Sequence, residues 1–220
     1  MFRVKICGVT NIDDARAAID AGADALGFNF YRSSKRFIER DVAQQIADIV
    51  PDHVAKVGVF VNHSTREIQD AIKSLGPSYI QLHGDEPAEF LVELPTDIKI
   101  IRAYRCGPSG LVVLASYLRR CQTLGRTPDA VLIDADAGSE FGGTGQIPDW
   151  VQIAVQRTMI GEVPLILAGG LTPENVGPAI VSVGPDAVDV ASGVEQKPGL
   201  KDHKRTKIFV SAAREAFELV

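Results

Sequence analysis

Short, nearly continuous apolar runs alternate with longer stretches in which apolar residues recur every three or four positions. The short runs predict strands at Val4–Cys7, Ala25–Phe28, Val57–Val61, Tyr79–Leu82, Ile98–Ala103, Ala130–Ile133, Pro164–Leu167 and Ala187–Val190. Their lack of a polar face suits strands covered on both sides in a parallel sheet. Between them, Ile12, Ala15 and Ile19 fall on one helical stripe, as do Val42, Ile46 and Ile49, and Ile68, Ile72 and Leu75. Polar residues mark the helix starts. Thr10 and Asp13 stand in capping-box spacing, and so do Ser64 and Glu67. Thr172-Pro173-Glu174 reads as an N-cap, a first-turn proline and an acid favoured by the helix dipole. The last helix carries Phe209, Ala213, Ala216 and Val220 on one stripe.

Eight strands, each followed by a helical signal, predict an α/β protein with a closed (β/α)8 barrel. Alternation alone does not prove closure, so an open doubly wound sheet stands as the second architecture. No linker, low-complexity stretch or compositional shift marks a second domain, and residues 1–220 are expected to form one. That length lies within the range of roughly 200–250 residues common for single barrels. The net charge of −5 argues against general binding to nucleic acid or to an acidic membrane. No apolar run approaches the roughly 20 residues of a membrane span, and the N-terminal residues lack a signal peptide's apolar core. Three cysteines without paired spacing fit neither a disulfide framework nor a zinc site. Reduced thiols in a cytoplasmic protein are the simplest reading.

In a barrel, residues just beyond each strand share one mouth, and that mouth is where ligands bind. The first strand ends in Cys7-Gly8, a thiol that is either a packed small hydrophobe or a reactive group. After the second comes the basic loop Tyr31-Arg32-Ser33-Ser34-Lys35-Arg36. Arg36 there is either a bidentate carboxylate grip or part of a solvated cluster. Glycine-bearing turns follow the last three strands: Gly142-Gly143-Thr144-Gly145, Gly169-Gly170-Leu171 and Ser192-Gly193. Each alone could be no more than a tight turn. Together, on adjacent strand ends, they point to backbone N–H groups around a phosphate.

Asp134 closes the sixth strand, and Asp136 is its rival. A carboxyl on a barrel rim can serve as a general acid where burial favours its protonated form, or can simply cap a turn. Asp189 interrupts the eighth strand, so it must be paired or functional, and Lys5 on the neighbouring first strand is its expected partner. His83, after the fourth strand, reads as a hydrogen-bonding wall residue ahead of a catalytic imidazole. No carboxylate–histidine spacing of the zinc type occurs, so no metal is expected.

These residues converge on a family. The chain resembles phosphoribosylanthranilate isomerase, a (β/α)8 enzyme of tryptophan biosynthesis, over nearly its full length. The resemblance rests on Lys5-Ile6-Cys7-Gly8-Val9-Thr10, Gly27-Phe28 with Ser34-Lys35-Arg36, Val57-Gly58-Val59-Phe60-Val61-Asn62, Gln81-Leu82-His83-Gly84 and Leu132-Ile133-Asp134. It continues through Gly142-Gly143-Thr144-Gly145, Leu167-Ala168-Gly169-Gly170-Leu171 with Asn175-Val176, and Val188 to Glu195. Lys35, Ala191 and Pro148 depart from residues common in the family.

The resemblance implies an aldose–ketose isomerisation, the Amadori rearrangement of N-(5-phosphoribosyl)anthranilate. By matching position, Asp134 would be the general acid and Cys7, as thiolate, the general base. Arg36 would hold the anthranilate carboxylate. Gly143, Gly169, Gly170, Ser192 and Gly193 would hold the phosphate, with His83 and Asp189 also in the substrate site. No cofactor is implied, since the substrate nitrogen becomes the electron sink. The partner implied is a phosphorylated sugar–anthranilate substrate, and the protein could be a monomer or a homodimer. The histidine-pathway phosphoribosyl isomerase, which resembles this chain less, has an aspartate where Cys7 stands. A catalytically silent phosphate-binding barrel is the reading from another class.

Overall fold

The structure, a computed structural model, describes residues 1–135 and 149–220. The predicted turn Gly142–Gly145, with Gly143, lies outside the described residues, as do Asp136 and Pro148. Eight parallel strands close into a barrel in sequence order. They are β1 (Val4–Cys7), β2 (Ala25–Asn29), β3 (Ala55–Phe60), β4 (Tyr79–Leu82), β5 (Lys99–Cys106), β6 (Ala130–Ala135), β7 (Leu165–Leu167) and β8 (Ala187–Val190). Closure is made by β8 against β1, with Val4 opposite Val188, Lys5 opposite Asp189 and Ile6 opposite Val190. The open-sheet alternative is thereby excluded.

Around the barrel run α1 (Ile12–Asp20), α2 (Arg40–Ala47), α3 (Thr65–Leu75), α4 (Ala88–Val92), α5 (Val112–Thr123), α6 (Trp150–Gln156), α7 (Val176–Val183) and α8 (His203–Phe217). Between β8 and α8 the chain adds a short antiparallel hairpin, β9 (Glu195–Lys197) and β10 (Leu200–Lys201). Among the described residues no helix is long and apolar enough to cross a membrane.

Two apolar layers follow from the two-residue period of the strands. Val4 and Ile6 of β1 pack outward with Val188 and Val190 of β8 and the helices. The interior layer takes the intervening residues, among them Ala25, Val57, Tyr79, Ile101, Leu132 and Ala187. On the same parity lie Lys5, Cys7, Gln81, Asp134 and Asp189, all buried. The polar residues of the site therefore stand on the inward face of the strands.

Several expected boundaries shift for local reasons. The fifth strand runs on to Cys106, because Arg105 and Cys106 still pair with Asp134 and Ala135 although polar side chains break the apolar run. Asn11, not Thr10, caps α1, accepting from Asp14 N–H at 2.8 Å. Thr10 instead donates its hydroxyl to the Gly199 carbonyl at 2.6 Å, which ties it to the β9–β10 hairpin. Thr172 opens a turn and not a helix. Its N–H donates to Asn175 Oδ1 at 2.8 Å, Asn175 becomes the N-cap, and α7 begins at Val176. Ile49 falls in the turn after α2, and Val220 lies exposed beyond the end of α8. The Ser64–Glu67 capping box on α3 forms as expected.

The ion pair at the seam is tight, with Lys5 Nζ 2.9 Å from Asp189 Oδ1 and Lys5 fully buried. Removing one partner would leave an uncompensated charge in the barrel interior. Asp189→Ala should destabilise the fold by about 3–5 kcal/mol in urea unfolding. Lys5→Met combined with Asp189→Leu should recover most of that loss. An unchanged unfolding midpoint for Asp189→Ala would show that the pair contributes nothing to closure.

Candidate active site

Cys7 ends β1 and points into the barrel mouth with 9% of its surface exposed. Gly27 sits opposite it on β2. A β-carbon at Gly27 would lie 2.8 Å from the Cys7 sulfur, so glycine there is what leaves room for the thiol. Burial pushes the Cys7 thiol up from its ordinary range. Lys5 and Lys201 oppose that rise and Asp189 adds to it.

The site is richer than the sequence suggests. Lys201, on β10, is 1% exposed. Its ammonium donates to the Cys7 carbonyl at 2.6 Å, to Glu195 Oε1 at 3.0 Å and to the Ala191 carbonyl at 3.2 Å. Glu195 is shared. Its two oxygens also take a bidentate pair from Arg36, Nε to Oε1 at 2.8 Å and the terminal NH2 nitrogen to Oε2 at 2.7 Å. Burial works to raise the Glu195 carboxyl, but its bonds and charge contacts with Arg36 and Lys201 outweigh it, and the carboxyl lies below the usual range.

Arg36 is therefore not part of a solvated cluster. Its side chain is 11% exposed, and its stem packs where a β-carbon of Gly8 would stand. Its remaining terminal nitrogen, NH1, has no partner among the described residues. Burial works against the Arg36 charge, but Glu195, and after it Cys7 and Asp134, hold the guanidinium above its ordinary range.

Asp134, the end of β6, is buried, with His83 Nε2 3.5 Å from its Oδ2. The Gln81 amide nitrogen lies 2.9 Å from His83 Nδ1. Donated there, it leaves the proton of a neutral ring on Nε2, the nitrogen that faces Asp134. A small cavity brings Asp134 together with Gly169, Gly170, Leu171, Asp189 and Ser192. Gly169 and Gly170 adopt φ of +81° and +61°, a left-handed turn that suits glycine and can present backbone N–H groups to an anion. Gly193 follows in the helical turn Ser192–Val194.

Nine of the ten sequence-predicted site residues thus lie at one end of one barrel, and Gly143 is outside the described residues. Lys201, Glu195 and Gln81 are the site residues to which sequence reading gave no role. A lysine in a two-residue strand shows no periodicity from which burial could be read. Glu195 carried a signal only as the acid that closes the run from Val188.

The comparisons with known proteins agree among themselves. A family model described as N-(5'phosphoribosyl)anthranilate (PRA) isomerase matches residues 4–212. The N-(5'-phosphoribosyl)anthranilate isomerase of Thermotoga neapolitana is 41% identical over 214 residues, 97% of this chain and 99% of that protein. The crystal structure of phosphoribosyl anthranilate isomerase from Thermotoga maritima superposes with a TM-score of 0.86 at 38% identity, covering 98% of this chain and 100% of that one. A phosphoribosyl anthranilate isomerase in complex with reduced 1-(o-carboxyphenylamino)-1-deoxyribulose 5-phosphate superposes with a TM-score of 0.81, also at 38% identity, over 98% of this chain and 100% of that one.

The state of the thiol can be tested without any substrate. Alkylation of Cys7 by iodoacetamide, followed by mass spectrometry as pH is raised, should show a midpoint above the ordinary thiol value of about 8.5. A midpoint below that value would mean that Lys5 and Lys201 overcome burial.

Proposed function

This chain belongs to the N-(5'-phosphoribosyl)anthranilate isomerase family and catalyses that isomerisation in tryptophan biosynthesis, and we propose that Cys7, Asp134 and Arg36 divide the reaction among them. The observation that carries this division is their convergence at one mouth with the glycine turns after β7 and β8. A substrate with a phosphate at one end and a carboxylate at the other is then held at both ends, with the sugar between them.

Asp134 donates a proton to the furanose ring oxygen as the C1–O bond breaks, and the anthranilate nitrogen's lone pair forms the iminium. The Cys7 thiolate takes the proton from C2, and the electrons of that C–H bond flow to the iminium nitrogen. The enolamine so formed tautomerises to the ketone. Every step is a proton transfer or a shift of electrons within the substrate, so two titratable side chains with opposite tasks are sufficient.

Arg36 binds the anthranilate carboxylate through the NH1 edge that Glu195 leaves open. Gly169, Gly170, Ser192 and Gly193 bind the phosphate through backbone N–H groups, joined by Gly143. Asp189 keeps one oxygen on Lys5 and lines the cavity beside the sugar. His83 forms the wall next to Asp134. The chain carries a cysteine where the histidine-pathway isomerase has an aspartate, which favours the anthranilate substrate.

The test is turnover of freshly made phosphoribosylanthranilate, followed by loss of its fluorescence. Cys7→Ser and Asp134→Asn should each lower turnover by about 10²–10⁴-fold, the range for a lost general acid or base. Arg36→Met should raise KM more than it lowers kcat. Since the Cys7 thiol lies above its ordinary range, kcat/KM should climb as pH rises through neutrality. Turnover no faster than the spontaneous reaction would sink the isomerase reading, and an unaffected Asp134→Asn would remove the acid from that residue.

A further inference from the structure

Lys201 touches neither expected end of the substrate, yet it is enclosed almost as fully as Lys5. All three of its ammonium protons are used, one on each of the ends of β1 and β8 and one on Glu195. Its own backbone is pinned from outside the barrel. Lys201 N–H donates to Asp14 Oδ2 at 2.9 Å, and Asp14 is buried on α1, where Asn11 and His203 also bond to it. A lysine held at both its backbone and its side chain, without solvent, has one geometry available.

The charges around Cys7 can be counted by element. From β1 and β8 come Lys5 and Asp189, a neutral pair. From β10 and β9 come Lys201 and Glu195, joined at 3.0 Å. Arg36 adds a second cation on the same carboxylate, and Asp134 on β6 is the remaining acid. Glu195 alone would neutralise Arg36. Burial pulls the Lys201 ammonium below its ordinary range, with Glu195 and Cys7 opposing that fall; protonated, it leaves the trio of two cations and one anion a surplus positive charge beside the base and at the carboxylate grip.

We propose that Lys201 and Glu195 are positioning residues that bind the Arg36 clamp and the end of β1 into one rigid unit, with Lys201 supplying the surplus charge that both Arg36 and Cys7 need. This rests on the roles given above to Cys7 and Arg36. The chemistry explains why one carboxylate takes two cations. A carboxylate accepts a bidentate guanidinium and still has lone pairs for an ammonium, so it fixes the orientation of Arg36 while Lys201 offsets its charge. The Lys201 bond to the Cys7 carbonyl transmits the same position to the backbone that carries the thiol.

Opposite substitutions should move the pH dependence in opposite directions, which loss of packing alone would not do. Lys201→Met keeps the length of the stem and removes the charge. It should shift the Cys7 alkylation midpoint, and the rising limb of kcat/KM, upward by about one pH unit, at the low end of the effect of a charge a few ångströms away. Glu195→Gln removes the anion and should shift both downward, while raising KM because Arg36 is no longer clamped. The double variant restores a surplus of one and should return both midpoints close to the original, with the high KM retained.

Alkylation is read on the free protein by mass spectrometry, with Cys7→Ser as the blank. If Lys201→Met fails to fold, Glu195→Gln must still shift the midpoint downward. Shifts in the same direction, or no shift in either variant even where activity falls, would overturn the proposal. Full turnover by Cys7→Ser would instead overturn the base assignment, and the alkylation midpoints would remain a separate measure of the Lys201 charge.

Discussion

The Lys5–Asp189 ion pair lies at the one place where the barrel must meet itself. Seven of the eight strand contacts join neighbours in sequence, but β8 must find β1 across the length of the chain. A slip of one residue there would turn every side chain of the strand to the opposite face. Lys5 would then lose Asp189 and face the apolar layer beneath the helices, at a cost no other contact there offsets. The pair fixes register by making the alternatives expensive. Once it is set, Cys7 two residues beyond Lys5 and Ser192 three residues beyond Asp189 both come to the mouth.

Register also explains why the site is polar while the strands read as apolar. The outward positions of β1, β6 and β8 are aliphatic and pack under the helices. The inward positions become polar toward the strand ends: Lys5 then Cys7, Leu132 then Asp134, Ala187 then Asp189. The lower barrel is filled by apolar side chains, and the upper barrel holds ionisable groups whose desolvation is met by partners. The Lys5 ammonium has burial acting against it, and Asp189 and Cys7 hold it above its ordinary range.

Much of this was legible in the sequence, because strands buried on both faces leave continuous apolar runs. Three of the eight strands begin and end where those runs do: Val4–Cys7, Tyr79–Leu82 and Ala187–Val190. The partnership of Lys5 with Asp189 was legible because a charge inside such a run has few ways to survive. Helix starts were less so. Thr10 and Thr172 have the right chemistry for caps, but the hairpin claims the hydroxyl of one and the Asn175 turn claims the backbone of the other. The Lys201–Glu195–Arg36 cluster was not legible at all. It joins a loop after β2 to a hairpin after β8, and no local pattern records which of many surface-type residues will be enclosed.

The same cluster bears on a tension in the site. Burial raises the Cys7 thiol, yet the base role proposed for it calls for a thiolate. A base with a high pKa is rarely ionised but is strong when it is, and proton abstraction from carbon rewards strength as well as population. The substrate makes the balance harder, since its phosphate and carboxylate bring negative charge to the mouth and would push the thiol further up. In the proposed binding mode those anions go to opposite ends, one to backbone N–H groups and one to Arg36, so that each meets a donor of its own. A lone Arg36 tied to Glu195 would have no net charge left for the carboxylate. Lys201 supplies the surplus, and its place between the Cys7 carbonyl and Glu195 lets one buried ammonium act on the clamp and on the base.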